Sequence, residues 1–311
     1  MRRWRVAITD PMHARPAERL ARFADPVLLP RGRDARFAAL ATSDALIVRT
    51  PVTEDEIAAG ARLKLIVRHG AGLDFIPVAL ARARGILVAS VPDANTEAVA
   101  EHVIGAVLAV ARSFVELDRS VRAGDWSARN RTRGMQLNGK LLGVVGFGRI
   151  GRCVAQKAHA GLGMRIAAFD PKATGLPPHV ERFESVDELL AAADVVTLHV
   201  PLDPATRGLI SRKRIALMKR GSLLVNAARG SVIDEAALAE ALVGSRIGGA
   251  AVDVFDTHPV PHDHPLLRAP NVLLTPHTAS LTEDAYIAMG EGAVDEVERA
   301  WRGRPLLNPA A

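Results

Sequence analysis

Short apolar runs alternate with longer Ala-rich or amphipathic stretches along most of the chain. This alternation predicts parallel strands joined by helices, and therefore an α/β fold. The first part of the chain contains apolar runs of strand length at 5–8, 45–48, 64–67 and 86–88. The second part contains six more, at 141–145, 164–169, 195–200, 222–226, 249–253 and 272–274. Six parallel strands are what the two mononucleotide-binding halves of a Rossmann domain require.

Two segments interrupt this alternation. Residues 97–121 read as one long helical run, and the polar, Gly- and Arg-rich stretch 122–134 follows it. After the last apolar run, residues 283–303 predict a charged helix. With 311 residues the chain is longer than one hydrophobic core usually serves, so we expect two doubly wound domains.

The composition is that of a folded protein, with 49% apolar and 24% charged residues. No apolar stretch long enough to span a membrane lacks charge, and the N-terminus has no signal-peptide pattern. A single cysteine, Cys153, excludes an internal disulfide, so we expect a cytoplasmic protein without a membrane partner. The net charge is +6, but the basic residues are not interleaved with aromatic residues, which argues against a nucleic-acid partner.

The most specific local motif is GFGRIG at 146–151, which follows the apolar run LLGVV and opens a helical run. Glycine turns in this context bind the pyrophosphate of a dinucleotide at the start of a helix. Gly146 permits the tight turn, Gly148 lets the pyrophosphate approach the backbone, and Gly151 lets helix and strand pack closely.

The choice of dinucleotide depends on Asp170, which closes the next apolar run. An acidic residue here binds both ribose hydroxyls and repels a 2'-phosphate, so we predict NAD over NADP. Lys172 weakens this preference, because an ammonium group nearby partly neutralises a phosphate.

Seven motifs in sequence order resemble those of the D-isomer-specific 2-hydroxyacid dehydrogenase family, particularly its 3-phosphoglycerate dehydrogenase-like members. They are RHGAGLD (68–74), NTEAVAEH (95–102), GFGRIG (146–151), HVPLDPATRGLI (199–210), NAARGSVIDEAAL (226–238), VDVFDTHP (252–259) and TPHTA (275–279). The resemblance implies a flavodoxin-like substrate domain at 1–96 and 284–311. It also implies an inserted Rossmann NAD-binding domain at 97–283, an active cleft between the two, and a homodimer paired through the nucleotide domains.

The resemblance implies oxidoreductase activity, with hydride transfer between NAD(H) and a D-2-hydroxy acid or its 2-oxo acid. His277 then takes the hydroxyl proton, because imidazole titrates nearest neutral pH. Arg229 holds the carboxylate and polarises the carbonyl with its planar fork. The amides of Gly70, Ala71 and Gly72 bind the other end of the carboxylate.

The family pattern also assigns residues to the cofactor. Asp253 contacts the nicotinamide amide, Arg149 with Ile150 covers the pyrophosphate, and Pro201 with Thr206 lines the adenosine side. The full predicted set is Gly146, Gly148, Arg149, Ile150, Gly151, Asp170, His199, Pro201, Thr206, Ala227 and Asp253.

One family position differs in this chain. The carboxylate that pairs with the catalytic histidine lies five residues after the aspartate of VDVF, where this chain has His258. If His258 faces His277, protonating both imidazoles is unfavourable and the pair titrates jointly. A neutral His258 can still orient His277 through one hydrogen bond, so we count it as catalytic. Asp256 is the alternative carboxylate, two residues away in spacing.

The loop that contains His258 has a further histidine-rich pattern. Residues 258–264 include three histidines and one aspartate, enough ligands for zinc. Prolines at 259, 261 and 265 stiffen this run, and HPLL at 264–267 resembles the ordinary family loop. We therefore predict no metal site.

The substrate prediction depends on ALIVRTPVTEDEI at 45–57, which resembles the segment of 3-phosphoglycerate dehydrogenases where an arginine binds the distal anion. Arg49 is the matching residue, and Arg68 and His69 are expected to add positive charge. We therefore expect a second phosphate, sulfonate or carboxylate, as in 3-phosphoglycerate or sulfolactate.

Four alternatives remain at this point: a hydroxypyruvate or glyoxylate reductase, a D-lactate-type reductase, a formate-type dehydrogenase, and an NAD-sensing corepressor-like binding protein. Because the chain ends at Ala311, we expect no C-terminal regulatory domain and no serine feedback.

Overall fold

The computed structural model of the protein describes residues 2–310. Residues 1 and 311, the outer ends of the predicted substrate domain, lie outside the described residues. Residues up to Thr96 and those from Leu281 onward form one unit, and Glu97–Ser280 form the other.

The first unit contains a parallel five-stranded sheet in the order β2-β1-β3-β4-β5. Its elements are β1 (Trp4–Ile8), α1 (Ala14–Ala21), β2 (Ala24–Leu28), α2 (Arg33–Ala41), β3 (Ala45–Val48), α3 (Glu54–Ala59), β4 (Leu65–Arg68), α4 (Val78–Ala83) and β5 (Leu87–Ala89). This is the flavodoxin-like strand order, as predicted. The sheet has an apolar core on both faces, which explains why its central strands read as continuous apolar runs.

Strand β2 was not predicted from the sequence. It pairs with β1 along its full length, from Trp4 opposite Ala24 to Ile8 opposite Leu28. It is an edge strand with Pro26 at its centre, and of its five residues only Ala24 is buried. A proline is tolerated at an edge, but it removes the pattern by which a strand is recognised.

The second unit contains a parallel seven-stranded sheet in the order β12-β11-β10-β9-β6-β7-β8. Its elements are α5 (Thr96–Ala111), α6 (Phe114–Arg122), α7 (Ala128–Arg131), β6 (Leu141–Val145), α8 (Arg149–Leu162), β7 (Arg165–Phe169), β8 (Val180–Arg182), α9 (Val186–Ala192), β9 (Val195–Leu198), α10 (Arg212–Leu217), β10 (Leu223–Asn226), α11 (Glu235–Val243), β11 (Gly249–Val252) and β12 (Val272–Leu274). Helices α5 and α8 contribute to the core on one face, and α9, α10 and α11 to the core on the other.

The predicted Rossmann domain is confirmed, but one of its strands had been missed. All six predicted strands are present, and β8 is the third strand of the Rossmann order. It lies at an edge with Glu181 and Arg182 exposed, so it has no apolar run. Strand β12 extends the opposite edge beyond the six strands of the two mononucleotide-binding halves.

The single helix expected over 97–121 is two helices in the structure, α5 and α6. The chain breaks at Ser113, which has a left-handed backbone with φ of 52°, and the two helix axes are bent by 60°. No single helix within residues 2–310 is long and apolar enough to cross a membrane. Only the bent pair α5 and α6 reaches the required length and composition together.

The last helix, α12 (Glu283–Trp301), was predicted from its charged pattern, and it belongs to the first unit. Thr282 caps its first turn by accepting from Ala285 N. Glu296, which is 1% exposed, accepts from the main-chain N–H groups of Leu307 and Asn308. This buried carboxylate fixes the tail that pairs with β5 through Ala89 and Pro309.

Candidate active site

The glycine turn lies between β6 and α8, and crowding explains two of its three glycines. A Cβ on Gly146, whose φ is 91°, would lie 2.7 Å from the carbonyl carbon of His199. A Cβ on Gly151 would lie 2.2 Å from the main-chain oxygen of Gly146. A Cβ on Gly148 meets no atom within 4 Å. Packing therefore requires two of the glycines, and the third leaves space beside the helix start where a pyrophosphate fits.

Asp170 is the first residue after β7, and its carboxylate is tied to the glycine turn. It accepts hydrogen bonds of 2.8 Å from Phe147 N and from Lys172 N. Lys172 thus contacts Asp170 through its main chain. These two bonds fix the carboxylate at the end of β7, beside the position that a ribose takes in a dinucleotide site.

Residues after β9 form a closed loop next to this turn. The hydroxyl of Thr206 donates to Pro201 O at 2.6 Å and accepts from Asp203 N at 2.9 Å. The Thr206 hydroxyl therefore makes its hydrogen bonds within the loop. Burial of the His199 ring lowers its pKa to about 3, although the residue keeps some accessible surface, and Nε2 lies 2.9 Å from the Thr197 hydroxyl. His199 is therefore neutral.

Two further cofactor candidates, Arg149 and Ile150, begin helix α8, where Arg149 is exposed and Ile150 packs against the core. Both follow the glycine turn directly, so they lie at the positive end of the helix dipole.

Arg229 follows β10 in a turn held by Asn226, which sequence reasoning missed. Asn226 is 1% exposed, its Nδ2 donates to Arg229 O at 2.9 Å, and its Oδ1 accepts from Ala228 N at 3.0 Å. Ala227 lies within this turn. A Cβ on Gly230 would lie 1.9 Å from the carbonyl carbon of Phe255. The Arg229 turn is therefore packed directly on the loop after β11.

Asp253 follows β11 and organises the loop that carries His277. Its carboxylate, in a residue that is 2% exposed, accepts from Thr275 Oγ1 at 2.6 Å, Thr278 N at 2.8 Å and Ala279 N at 2.9 Å. Its main-chain oxygen accepts from His277 N at 2.7 Å. His277 has φ of 55°, a strained backbone conformation that this set of bonds maintains. Asp253 thus holds the His277 loop, and its predicted contact with a nicotinamide amide stays a prediction.

The structure brings His258 against His277. The two ring centroids lie 5.7 Å apart, and the planes are inclined by 30°. Phe255 N donates to His258 Nε2 at 3.2 Å. An N–H group only donates, so Nε2 accepts, and a neutral His258 carries its proton on Nδ1. Asp256, the alternative carboxylate, instead accepts from the Ser231 hydroxyl.

A second pair that sequence reasoning missed supports this loop. Glu235, at the start of α11, accepts from Asp256 N at 2.9 Å through one oxygen. Its other oxygen lies 3.0 Å from His264 Nε2. Glu235 thus ties both ends of the segment that contains His258. Within residues 2–310, no group of three His, Cys, Asp or Glu side chains is arranged to hold a metal ion.

In the first unit, Arg49 follows β3 and contacts Tyr286 of α12. Its Nη1 donates to the Tyr286 hydroxyl and to Pro11 O, both at 3.1 Å. Its guanidinium carbon lies 4.8 Å from the centre of the Tyr286 ring. Nearby, the Asp10 carboxylate accepts from the main chain and the hydroxyl of Thr50.

Arg68 and His69 differ in what they contribute to this region. Arg68 donates to main-chain oxygens, from Nη1 to Val48 O at 2.8 Å and from Nε to Gly72 O at 3.0 Å, and so supports the turn at 70–72. Burial of His69, together with the charges of Arg49 and Arg68, lowers its pKa to about 4. His69 is therefore neutral at neutral pH, and the expectation that it adds positive charge is wrong.

Known proteins that are similar to this chain in sequence and fold identify its family. Residues 104–279 match the family model described as D-isomer specific 2-hydroxyacid dehydrogenase, NAD binding domain. The chain belongs to the D-isomer specific 2-hydroxyacid dehydrogenase family. The matched residues lie within the second unit, so this unit is the NAD-binding domain of the family, and NAD is the cofactor.

Three relatives show how far the similarity extends. The chain is 41% identical to D-3-phosphoglycerate dehydrogenase of Methanocaldococcus jannaschii, covering 98% of this chain and 59% of that protein. It is 38% identical to hydroxypyruvate reductase of Thermotoga maritima, covering 96% and 98% of the two chains. The solved structure of the TT0316 protein from Thermus thermophilus matches with a TM-score of 0.91 and 36% identity, covering 99% and 100% of the two chains. The chain therefore spans little more than half of this phosphoglycerate dehydrogenase and nearly the full length of the other two proteins.

Proposed function

We propose that the protein is an NAD-dependent oxidoreductase that interconverts D-2-hydroxy acids and 2-oxo acids. The observation that carries this proposal is the arrangement at the carboxyl ends of β10, β11 and β12, which are neighbours in the sheet. Arg229 follows the first, His258 the second and His277 the third. Carboxyl ends of parallel strands are where doubly wound sheets bind ligands.

The reaction assigns separate tasks to these residues. The glycine turn and Asp170 would hold NAD, which would supply the hydride-transfer chemistry at C2 of the substrate. His277 takes the hydroxyl proton during oxidation and gives it back to the carbonyl oxygen during reduction. Arg229 binds the carboxylate and polarises the carbonyl, and such a charged contact contributes about 1.5–3 kcal/mol. The overall reaction balances in atoms and charge: a hydroxy acid and NAD⁺ give an oxo acid, NADH and one proton.

His258 takes the place of the carboxylate that other family members carry. With its proton on Nδ1 and its ring against His277, it orients the base without supplying a negative charge. A carboxylate favours imidazolium, whereas a neutral imidazole does not. We therefore assign His258 an orienting role in the proton transfer.

The glycine turn and Asp170 support the choice of NAD over NADP. The open space at Gly148 accommodates a pyrophosphate, and the fixed carboxylate of Asp170 favours two free ribose hydroxyls. Lys172 contacts the Asp170 carboxylate through its main-chain N–H, so the negative charge of the carboxylate remains to repel a 2'-phosphate, and NAD is our assignment.

For the substrate we propose a 2-hydroxy acid with a second anionic group. Arg49 of the first unit is the receptor for that group, and the amides of Gly70, Ala71 and Gly72 bind the carboxylate. The hydroxypyruvate reductase of Thermotoga maritima matches this chain over nearly its whole length, which supports hydroxypyruvate as the second candidate.

A panel of 2-oxo acids with and without a distal anion, offered with NADH and with NADPH, tests the proposal. We expect NADH oxidation with 2-oxo acids and a preference for the doubly anionic ones. Formate and a set of 2-hydroxy acids are offered separately with NAD⁺. Turnover of formate and of no 2-hydroxy acid identifies a formate-type dehydrogenase, and tight NADH binding without turnover of any acid supports a sensor. Either result refutes the proposed function.

We also propose that the protein is a cytoplasmic homodimer. Phe114 and Val121 of α6 and Trp126 just beyond it are 52%, 57% and 69% exposed, and exposed apolar side chains grouped in this way are typical of interfaces. A second copy that covers these residues forms the dimer. Sedimentation of the protein and of Val121→Glu with Trp126→Ala tests this, and a wild-type monomer refutes it.

A further inference from the structure

We propose that Tyr286 is a positioning residue that holds Arg49 as the receptor for the distal anion of the substrate. The inference rests on the proposed function, and it adds a determinant of substrate specificity on helix α12. Tyr286 is the only tyrosine of the chain, and the sequence motifs do not include it.

Tyr286 restrains Arg49 in two ways. Its hydroxyl accepts from Arg49 Nη1 at 3.1 Å and donates to Pro11 O. Its ring lies under the guanidinium, 4.8 Å from ring centre to Cζ. Pro11 O also accepts from the same Nη1 at 3.1 Å. The guanidinium is therefore held on one face by the ring and at one nitrogen by two oxygens.

These contacts leave the other edge of the guanidinium for a ligand. In the part of the chain that the structure describes, Nε and Nη2 of Arg49 make no hydrogen bond, and the residue is partly exposed. Nε and Nη2 form the flat edge that binds a carboxylate or phosphate through two parallel bonds. A flexible arginine loses entropy when it adopts this geometry, and Tyr286 removes part of that cost beforehand.

The charges around Tyr286 agree with this assignment. His69 lies 5.6 Å from the Tyr286 ring, and with a pKa of about 4 it adds no charge at neutral pH. Arg68 uses its Nε and Nη1 on main-chain oxygens. His13 packs edge-on against Tyr286 at 6.3 Å and pairs with Glu283 at 3.0 Å. Arg49 is therefore the guanidinium of this group that presents an uncommitted edge.

Two substitutions separate the contributions of the hydroxyl and the ring. Tyr286→Phe removes the hydrogen bond and keeps the ring, whereas Tyr286→Leu removes both. The matched control is Trp301→Phe, which removes a hydrogen bond to Arg2 O at the far end of the same helix. Steady-state kinetics compare 3-phosphohydroxypyruvate with hydroxypyruvate, which differ only in the distal phosphate.

We expect Tyr286→Phe to raise KM for the phosphorylated substrate by roughly 3- to 10-fold, and Tyr286→Leu to raise it further. KM for hydroxypyruvate and kcat for both substrates should change less than about twofold. Trp301→Phe should leave the ratio of the two KM values unchanged. Equal losses on both substrates indicate a merely structural role and overturn the inference, as does an unchanged KM ratio.

A binding measurement keeps the inference testable if no acid is turned over. Because the chain has one tyrosine, protein labelled at tyrosine gives a single set of ring signals in NMR. Titration with 3-phosphohydroxypyruvate should shift these signals in the wild type and leave them unchanged in a folded Arg49→Gln variant. Inorganic phosphate, titrated separately, shows whether a free anion suffices. An unshifted wild-type signal with both probes overturns the inference, whereas a shift without turnover overturns only the proposed function.

Discussion

Three glycines of one structural segment allow the roles of packing and cofactor binding to be separated. We consider Gly151→Ala, Gly148→Ala and Gly161→Ala, in and around helix α8. At position 151 the new Cβ would lie 2.2 Å from Gly146 O, and real Cβ contacts essentially never fall below 3.0 Å. The backbone of the turn must therefore move by about 0.8 Å or more, the difference between these two distances. Overpacking of this kind costs about 1–3 kcal/mol.

The other two positions have no such clash, since a Cβ on either meets nothing within 4 Å. Gly148 has φ of −76° and ψ of −158°, which alanine also adopts, so its replacement should change stability by less than about 0.5 kcal/mol. Its methyl group occupies the space assigned to the pyrophosphate, so NADH affinity should fall at least tenfold, or about 1.4 kcal/mol. Gly161 lies in the last turn of α8, where alanine should stabilise the helix by about 0.5–1 kcal/mol.

Equilibrium unfolding in urea, followed by far-ultraviolet circular dichroism, measures stability, and calorimetric titration with NADH measures affinity. The expected outcome is loss of stability in Gly151→Ala, loss of affinity alone in Gly148→Ala, and neither loss in Gly161→Ala. Wild-type affinity in Gly148→Ala would refute the assignment of the turn to the pyrophosphate. Wild-type stability in Gly151→Ala would refute the packing argument.

Three further predictions concern the other site residues. His258→Glu should shift the acid limb of the pH profile of the oxidation rate to higher pH, because a carboxylate favours imidazolium at His277. An unshifted limb contradicts the pairing of His258 with His277. Asp253→Asn places an amide donor against a main-chain N–H, so the free energy of unfolding in urea should fall by about 1–3 kcal/mol and kcat should be lower. If neither changes, Asp253 does not hold the His277 loop. Burial lowers the pKa of His69 to about 4, below about 6.5 in an unfolded chain, so its contribution to stability is present above pH 6.5 and is lost as the pH falls towards 4. Between pH 6.5 and 4, the free energy of unfolding should fall by roughly 3 kcal/mol more in the wild type than in His69→Gln. Parallel plots of this free energy against pH for the two proteins would disprove the prediction.

Much of the NAD-binding domain could be predicted from local sequence. Strands such as β6 and β10 are buried on both faces, so each reads as an apolar run whatever lies around it. The glycine turn follows such a run directly and opens a helix, and this context together with the spacing of the glycines indicates a dinucleotide. Strands β2 and β8 lack this signal because they are edge strands, each with a single buried residue, and only pairing with β1 and β7 identifies them.

The sequence by itself determined the buried strands, most of the helices, the glycine turn and the residue types available for chemistry, because these depend on neighbours along the chain. Tertiary structure decided how those residues are used. Arg49 and Tyr286 are 237 positions apart, and Asp253 is tied to residues 22 to 26 positions away in the next loop. The neutrality of His69 likewise follows from burial and from two neighbouring guanidinium groups. Hydrogen bonding and desolvation act through space, so a change in charge or tautomer leaves no local pattern in the chain.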